Sequence, residues 1–326
     1  MRLLVTGGAG FLGSHFVRSV LADRLPGLEG AQVTVLDALT YAGNPTNLDE
    51  VRDHAGFRFV HGDIADPQQL AVTLPGHHVV VNFAAESHVD RSISAAAPFV
   101  RTNVWGVQML LDGCLAAGVP RLLQVSTDEV YGTIDSGSWS EDQPVRPNSP
   151  YTASKAAADL LVLAAGRTHD LAVRITRGSN AYGPRQHPEK LIPRFLCLLL
   201  EGQNLPLFGD GLNVREWVHV EDHCRGIATV LTAGADGEVY NLGGGTALTN
   251  RDLTQRLLDA CGAGWDRVDH VADRKAHDRR YSVDSAKLTA LGYAPTVPFE
   301  IGLADTIAWY RDNRTSWQPA TAAVPG

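Results

Sequence analysis

The stretch Arg2-Leu3-Leu4-Val5-Thr6-Gly7-Gly8-Ala9-Gly10-Phe11-Leu12-Gly13 decides the fold. Arg2 to Thr6 is a short apolar run of strand character, and an amphipathic helical pattern follows the glycines to about Leu25. Gly7, Gly10 and Gly13 recur at every third position between them. Gly7 suits a tight turn, Gly10 lets backbone approach a pyrophosphate, and Gly13 allows the helix to pack on the strand with its first amides facing the anion. The next strand-like run, Gln32 to Leu36, ends in Asp37. An acid there accepts hydrogen bonds from a ribose diol and repels a 2′-phosphate, and no arginine follows to offset it, so the dinucleotide expected is NAD rather than NADP.

Working outward, strand-like runs recur at Phe57 to His61, Val79 to Phe83, Leu122 to Val125 and Leu171 to Ile175, with helical segments between them. That alternation predicts an α/β fold with a doubly wound parallel Rossmann sheet. Asp63 and Ile64 close the third strand, and Phe83-Ala84-Ala85-Glu86-Ser87 closes the fourth. The two small alanines allow a cofactor to lie close, while Ser87 can either reach a sugar or phosphate oxygen or cap the next helix. After Ile175 the glycine-rich loops Gly178 to Pro184, Gly209 to Gly211 and Gly243 to Gly245 break the alternation. The expectation is a second, smaller α+β substrate domain of residues 177–213 plus about 243–326, interleaved with a dinucleotide domain of 1–176 plus about 214–242. The tail after Asn313, with Pro319 and Pro325, reads as frayed.

The chemistry concentrates between Val125 and Lys155. Thr127, Asp128 and Glu129 follow the Leu122–Val125 run and so fall at a strand's carboxyl end, where open α/β sheets place their ligands. Tyr151 and Lys155 lie four residues apart in an alanine-rich helical segment after Pro150, on one helix face. An ammonium beside a phenol favours the phenolate, which makes Tyr151 a usable base. Two adjacent carboxylates can split their titrations, one holding a proton while the other has lost it.

Composition narrows the class. With 326 residues and 44% hydrophobic content the chain can bury a large core, and a formal charge of −8 without a basic run argues against nucleic-acid or anionic-membrane surfaces. A small-molecule partner is expected. Cys114, Cys197, Cys224 and Cys261 are widely spaced with no C-x-x-C pair, which suits a reducing compartment. No leader-like apolar segment precedes the first strand, and the Leu191–Leu200 cluster is too short to span a bilayer, so the expected address is the cytoplasm. His219 and His223 flank Glu221 and Asp222 without the spacing of a zinc motif, and no metal site is expected. The segments Thr102–Ala117 and Ser154–Ala165 are apolar on more than one face. Either a symmetric helix-pairing homodimer or other parts of the same subunit must cover them.

Together these motifs resemble the extended short-chain dehydrogenase/reductase superfamily and, within it, the dTDP-glucose 4,6-dehydratases of deoxysugar biosynthesis. The broad likeness rests on Gly7-x-x-Gly10-x-x-Gly13 and Tyr151-x-x-x-Lys155. The narrower one rests on Ala84 to Ser92, Ser126 to Gly132, His187 to Pro193 and Asn213 to His219. The resemblance implies an NAD regenerated in each turnover, with Tyr151, Lys155, Thr127, Asp128 and Glu129 catalytic. Tyr151 takes the C4 hydroxyl proton, Glu129 then removes the C5 proton, and Asp128 protonates the departing C6 hydroxyl. By the same likeness Gly7, Gly10, Phe11, Leu12, Gly13, Asp37, Ala38, Leu39, Thr40, Asp63, Ile64, Phe83, Ala84, Ala85 and Thr102, with Tyr151 and Lys155, contact NAD. Ser87, Thr127, Asn180, Glu189, Lys190, Leu191, Pro206, Phe208, Arg215, Asn250, Arg274, His277 and Tyr281 hold the nucleotide sugar. Phe208 can offer its ring to a base or serve as core. The chain departs from the family pattern at Ala181, where an asparagine is usual, and at Arg185, where an aromatic is common; both bear on cofactor retention. A 4-epimerase or decarboxylase shares the fold and the oxidation but lacks the Asp128-Glu129 pair, and a non-catalytic NAD-binding sensor would need none of these side chains together.

Overall fold

In the computed structural model, which describes residues 1–275 and 277–321, twelve strands form three sheets among the described residues. They are β1 (Arg2–Thr6), β2 (Gln32–Asp37), β3 (Phe57–His61), β4 (Val79–Asn82), β5 (Arg121–Thr127), β6 (Ala172–Gly178), β7 (Asn180–Tyr182), β8 (Leu205–Phe208), β9 (Val214–His219), β10 (Glu238–Leu242), β11 (Thr246–Thr249) and β12 (Val268–Val271). Seven make a wholly parallel sheet in the order β10-β6-β5-β4-β1-β2-β3. The order reverses between β1 and β4, and the crevice beyond their carboxyl ends is where such a sheet receives a ligand.

Side-chain alternation explains why both faces are covered. Leu3 and Val5 join one core with Phe16, Val17, Ile227 and Leu231 from the helices Phe11–Leu21 and Val220–Ala233. Leu4 and Leu36 point the other way, against Leu110, Leu111, Ala158 and Val162 from Val107–Ala117 and Pro150–His169. A parallel sheet buried on both sides has continuous apolar strands, as β1 and β4 do. Each such leucine contributes about 1.5–3 kcal/mol by leaving water. Gly13 makes the first helix possible: a Cβ there would stand 2.3 Å from the Gly7 carbonyl oxygen. Gly7 itself turns at φ +67°.

The second part of the chain builds smaller sheets, β11-β9-β7 and β12-β8, around a third core that includes Ile192, Phe195, Leu257 and Leu303. The return to the large sheet comes at Val220 rather than about residue 214. β9 pairs with β7 and β11, and only the helix Val220–Ala233 and then β10 rejoin the parallel sheet. The tail also differs from expectation as far as it is described, because Arg314–Thr321 is helical. Trp317 is buried and its indole N–H donates to the Tyr310 carbonyl at 2.8 Å, which holds this turn down despite the proline. Pro325 lies outside the described residues.

Candidate active site

The carboxyl ends of β1, β2, β4 and β5 open on a cavity of about 310 Å³. Every residue assigned to NAD above lines it, with the exception of Leu39. Leu39 has φ +49° and packs its side chain against the core, while its amide donates to Asp37 Oδ1 at 2.8 Å. The other Asp37 oxygen accepts from the Ala9 amide at 2.8 Å. Burial pushes the Asp37 carboxyl up, and these two amides draw it back. Each oxygen keeps a lone pair for a diol. Beside it the wall is Ala38, Thr40, Ala42 and Gly43, none of which carries the positive charge a 2′-phosphate would need. The glycine turn, the paired amides and this anionic end fit a dinucleotide of the NAD type.

At the far end of the cavity stand the residues expected to be catalytic. β5 runs through Thr127, and Asp128 and Glu129 form a 3-10 turn in which Thr127 Oγ1 accepts the Glu129 amide at 3.3 Å. The helix Pro150–His169 starts with a capping box in which Ser149 and Thr152 exchange hydrogen bonds. That cap places Tyr151 in the first turn, with Lys155 one turn on. Thr127, Glu129, Tyr151 and Lys155 all line the cavity.

Three features of this cluster come from the fold. Asp128 is buried and lines neither cavity, so the pair is split: Glu129 opens into the cleft and Asp128 lies behind it, with Oδ2 lacking a partner. Burial raises both carboxyls. Glu129 and Glu216 raise Asp128 further, whereas Lys190, Arg215 and Arg274 pull Glu129 down. Of the two, the fold favours the proton on Asp128. Thirdly, Lys155 is tied to β5 as well as sharing a helix face with Tyr151. Its Nζ donates to the Val125 carbonyl at 2.7 Å, and burial lowers its pKa to about 8, against the pull of Asp159. Burial raises the Tyr151 phenol well above its ordinary value, and the Glu129 and Asp128 carboxylates add to this.

Asp159 belongs to a support the sequence reading missed. It is fully buried one turn beyond Lys155 and accepts from Arg177 Nε at 2.9 Å, while Arg177 lies 4.7 Å over the Tyr131 ring. The signal was available: Tyr151, Lys155 and Asp159 follow at i, i+4 and i+8 on one helix face. Asn103 was not legible. Its placement depends on the π-helical turn Val100–Gly106, which brings Thr102 to the cavity and lets Asn103 Nδ2 donate to Ser154 Oγ at 2.8 Å and to the Glu86 carbonyl at 3.0 Å.

A second cavity of about 140 Å³ meets the first, sharing Ser87, Glu129, Asn180, Glu189 and Lys190 with it. All the residues assigned to the nucleotide sugar line it, save Thr127, which stands in the first. Lys190, Arg194, Arg215, Arg274 and Lys275 oppose Glu129, Glu189 and Asp278 there, so a protein of net negative charge presents a positive mouth. Arg215 is aimed by the Asp278 carbonyl at 2.9 Å and lies 4.4 Å over Tyr281. Arg274 lies 4.7 Å over Phe208 and donates to Asp90 at 2.7 Å. Lys190 reaches back to the Ser87 carbonyl at 2.5 Å. Flat rings with guanidinium groups over them suit a base followed by a diphosphate. His219 caps the helix Val220–Ala233 by accepting the Glu221 amide, so the acidic pair Glu221-Asp222 is a helix start.

A parallel sheet with a dinucleotide cavity, a tyrosine and lysine at its end and an anion-gripping cavity beyond them define a dehydrogenase-type enzyme of nucleotide sugars. Comparison with known proteins narrows the class. The profile of the GDP-mannose 4,6 dehydratase family matches residues 4–306. The chain is 58% identical to a dTDP-glucose 4,6-dehydratase of Streptomyces antibioticus over 321 residues, which cover 98% of this chain and 95% of that one. The solved structure of the dTDP-glucose 4,6-dehydratase DesIV from Streptomyces venezuelae, with NAD bound, is 60% identical and superposes with a TM-score of 0.97 over 98% of this chain and 100% of its own. A UDP-glucose 4-epimerase of Thermus thermophilus, also solved with NAD, matches at 31% identity and a TM-score of 0.87, over 96% of this chain and 100% of that one. The chain belongs to the GDP-mannose 4,6 dehydratase family of the extended short-chain dehydrogenases/reductases.

Proposed function

We propose that this protein is an NAD-dependent lyase that converts dTDP-glucose to dTDP-4-keto-6-deoxyglucose. One observation carries the reading: Glu129 stands in the walls of both cavities, beside Tyr151 and Thr127 on the dinucleotide side and within the field of Lys190, Arg215 and Arg274 on the other. The first cavity, from Gly7 and Asp37 to Tyr151 and Lys155, would hold NAD, which when bound would supply hydride acceptance from C4 of the sugar and hydride return to C6. Tyr151 takes the C4 hydroxyl proton as that carbon becomes a ketone, and Thr127 Oγ1 orients the hydroxyl. Lys155 fixes the helix against β5 through Val125 and supplies positive charge behind the phenol. The ketone acidifies C5–H, which Glu129 removes. Asp128, its carboxyl raised by burial and by the Glu129 charge, supplies the proton with which the C6 hydroxyl leaves as water, and its side chain must turn out from behind Glu129 to deliver it. Proton return to C5 accompanies reduction at C6, so the cycle has no net redox change. The buried Arg177–Asp159 pair holds a carboxylate near Lys155 and so keeps it charged.

Incubating the purified protein with dTDP-glucose and no added cofactor is the direct test. Mass spectrometry should record loss of one water without accumulation of NADH. An unchanged sugar nucleotide after NAD and UDP-glucose have also been supplied would refute the dehydratase assignment.

The partner reading extends to a homodimer. Among the described residues Val100, Trp105 and Leu160 are 54%, 53% and 56% exposed on neighbouring helices, an apolar face that water would disfavour. Pairing of this face with a second copy accounts for the uniformly apolar helices. The expected result is a dimer by light scattering that Leu160→Glu converts largely to monomer; a monomeric parent protein would end this reading. Among the described residues no helix is long and apolar enough to cross a membrane, and the four free cysteines fit a cytoplasmic setting.

A further inference from the structure

Arg185 crosses from the substrate-side segment to the 3-10 helix Pro45–Val51, which follows directly on the cavity-lining residues Ala42 and Gly43. Its backbone sits at φ +71°, in the left-handed region that non-glycine residues seldom adopt. From there Nη1 donates to the Asn47 carbonyl at 3.4 Å and Nη2 donates to the Glu50 carboxylate. The Asn47 carbonyl also accepts from Arg18 at 2.6 Å, and Glu50 stands 3.7 Å from Arg18 Nε. Asn47 in turn grips the glycine turn: its side-chain amide donates to the Ala9 carbonyl at 3.0 Å, which also takes the Asn44 amide at 3.1 Å. The Ala9 amide is the one bound to Asp37. A continuous line of contacts therefore runs from Arg185 to the turn expected to face the pyrophosphate and to the acid expected to face the ribose.

At its other end the same segment makes the opposite wall. Gln186, His187 and Glu189 line the first cavity, and Gln186 is pinned by donation to the Ala181 carbonyl at 2.8 Å. Ala181 has no side-chain amide to offer a cofactor, which leaves the 183–190 segment as the hold on this side of the cavity.

We infer that Arg185 is a strap that clamps the 183–190 segment onto the Pro45–Val51 helix and slows the release of NAD between turnovers. It acts as a positioning residue, through Asn47 and Glu50, and the inference rests on the NAD reading of the cavity. Because the segment continues into Glu189 and Lys190 of the second cavity, the strap also couples the two sites. A bound nucleotide diphosphate slows NAD release while the strap is intact.

Arg185→Gly removes the side chain at a position whose φ glycine adopts freely, so the fold is not burdened. Release is followed with the fluorescent etheno-adenine analogue of NAD, by mixing the protein loaded with it with an excess of NAD, with and without dTDP. The loss of two charge-assisted bonds is expected to speed release about tenfold, and to abolish the slowing by dTDP expected of the parent; a parent whose release dTDP does not slow would overturn the coupling. A merely structural role would lower the melting temperature and leave the release rate and its dTDP dependence as they were, which would overturn the strap. Adding Glu50→Gln to Arg185→Gly should speed release no further; an additive effect would likewise remove Glu50 from the strap. Failure of the parent protein to bind NAD at all would instead overturn the reading of the cavity, and the strap with it.

Discussion

Replacing Glu129 with glutamine is expected to lower formation of the 6-deoxy product roughly a thousandfold, the ordinary scale for loss of a positioned base, while the oxidation at C4 survives. Glutamine keeps the volume and polar contacts of the side chain, so Tyr151 and Thr127 remain in place. The sugar should be oxidised and then stall, since nothing removes the C5 proton. The signature is reduced cofactor that accumulates to about one equivalent and then decays back, read at 340 nm, together with slow exchange of the C5 hydrogen for solvent deuterium. Normal turnover in this variant would strip Glu129 of its role. The acid limb of the parent's rate profile checks the same group. Glu129 works only when ionised, and burial raises its pKa from 4.5, so activity falls as pH drops through a value above 4.5. Lys190 is the foremost charge opposing that rise. Lys190→Ala should therefore move the acid limb to higher pH, in addition to weakening substrate binding.

Tyr151→Phe should stop the cycle one step earlier. With no group to take the C4 hydroxyl proton, both product and transient reduced cofactor disappear, again with a loss of roughly a thousandfold. The ring keeps its edge contact with Phe99 at 6.2 Å, the hydroxyl gives up its hydrogen bond with Thr127, and Lys155 still ties the helix to the Val125 carbonyl, so the fold and NAD binding should persist. The two variants together separate the steps: reduced cofactor without product for Glu129→Gln, neither for Tyr151→Phe. A Phe variant that still reduced cofactor at the parent's rate would move the base elsewhere, with Glu129 the first candidate.

The cofactor half of the site was legible because its demands fall on backbone and on single residues. Gly7 and Gly13 are required by one turn and one close approach, and Asp37 by the end of one strand; all three are local in sequence. The substrate half was harder, because Lys190, Arg215, Arg274 and Tyr281 come from separate segments that no periodicity connects. Family likeness assembled them, and the fold brings them to one cavity. Asn103 escaped both, because its role depends on a π-helical turn, and a one-residue change of helical pitch leaves little trace in the composition of Val100–Gly106.

By itself the sequence determined the parallel sheet, its ligand end, the preference for an unphosphorylated ribose and the helix face shared by Tyr151 and Lys155. These follow from strand alternation and helical pitch, which act over a few residues. Only the tertiary structure decided how the two carboxylates differ. Asp128 and Glu129 are neighbours in the chain, yet the turn after β5 sends one behind the cleft, where Glu129 and Glu216 outweigh Arg215, and the other into it, where Lys190, Arg215 and Arg274 face Asp278. The strap from Arg185 to Asn47 and Glu50 was equally beyond the sequence, since a guanidinium states its charge there but not its partner. Electrostatic environment is a sum over groups brought from the whole chain, and it exists only once the chain is folded.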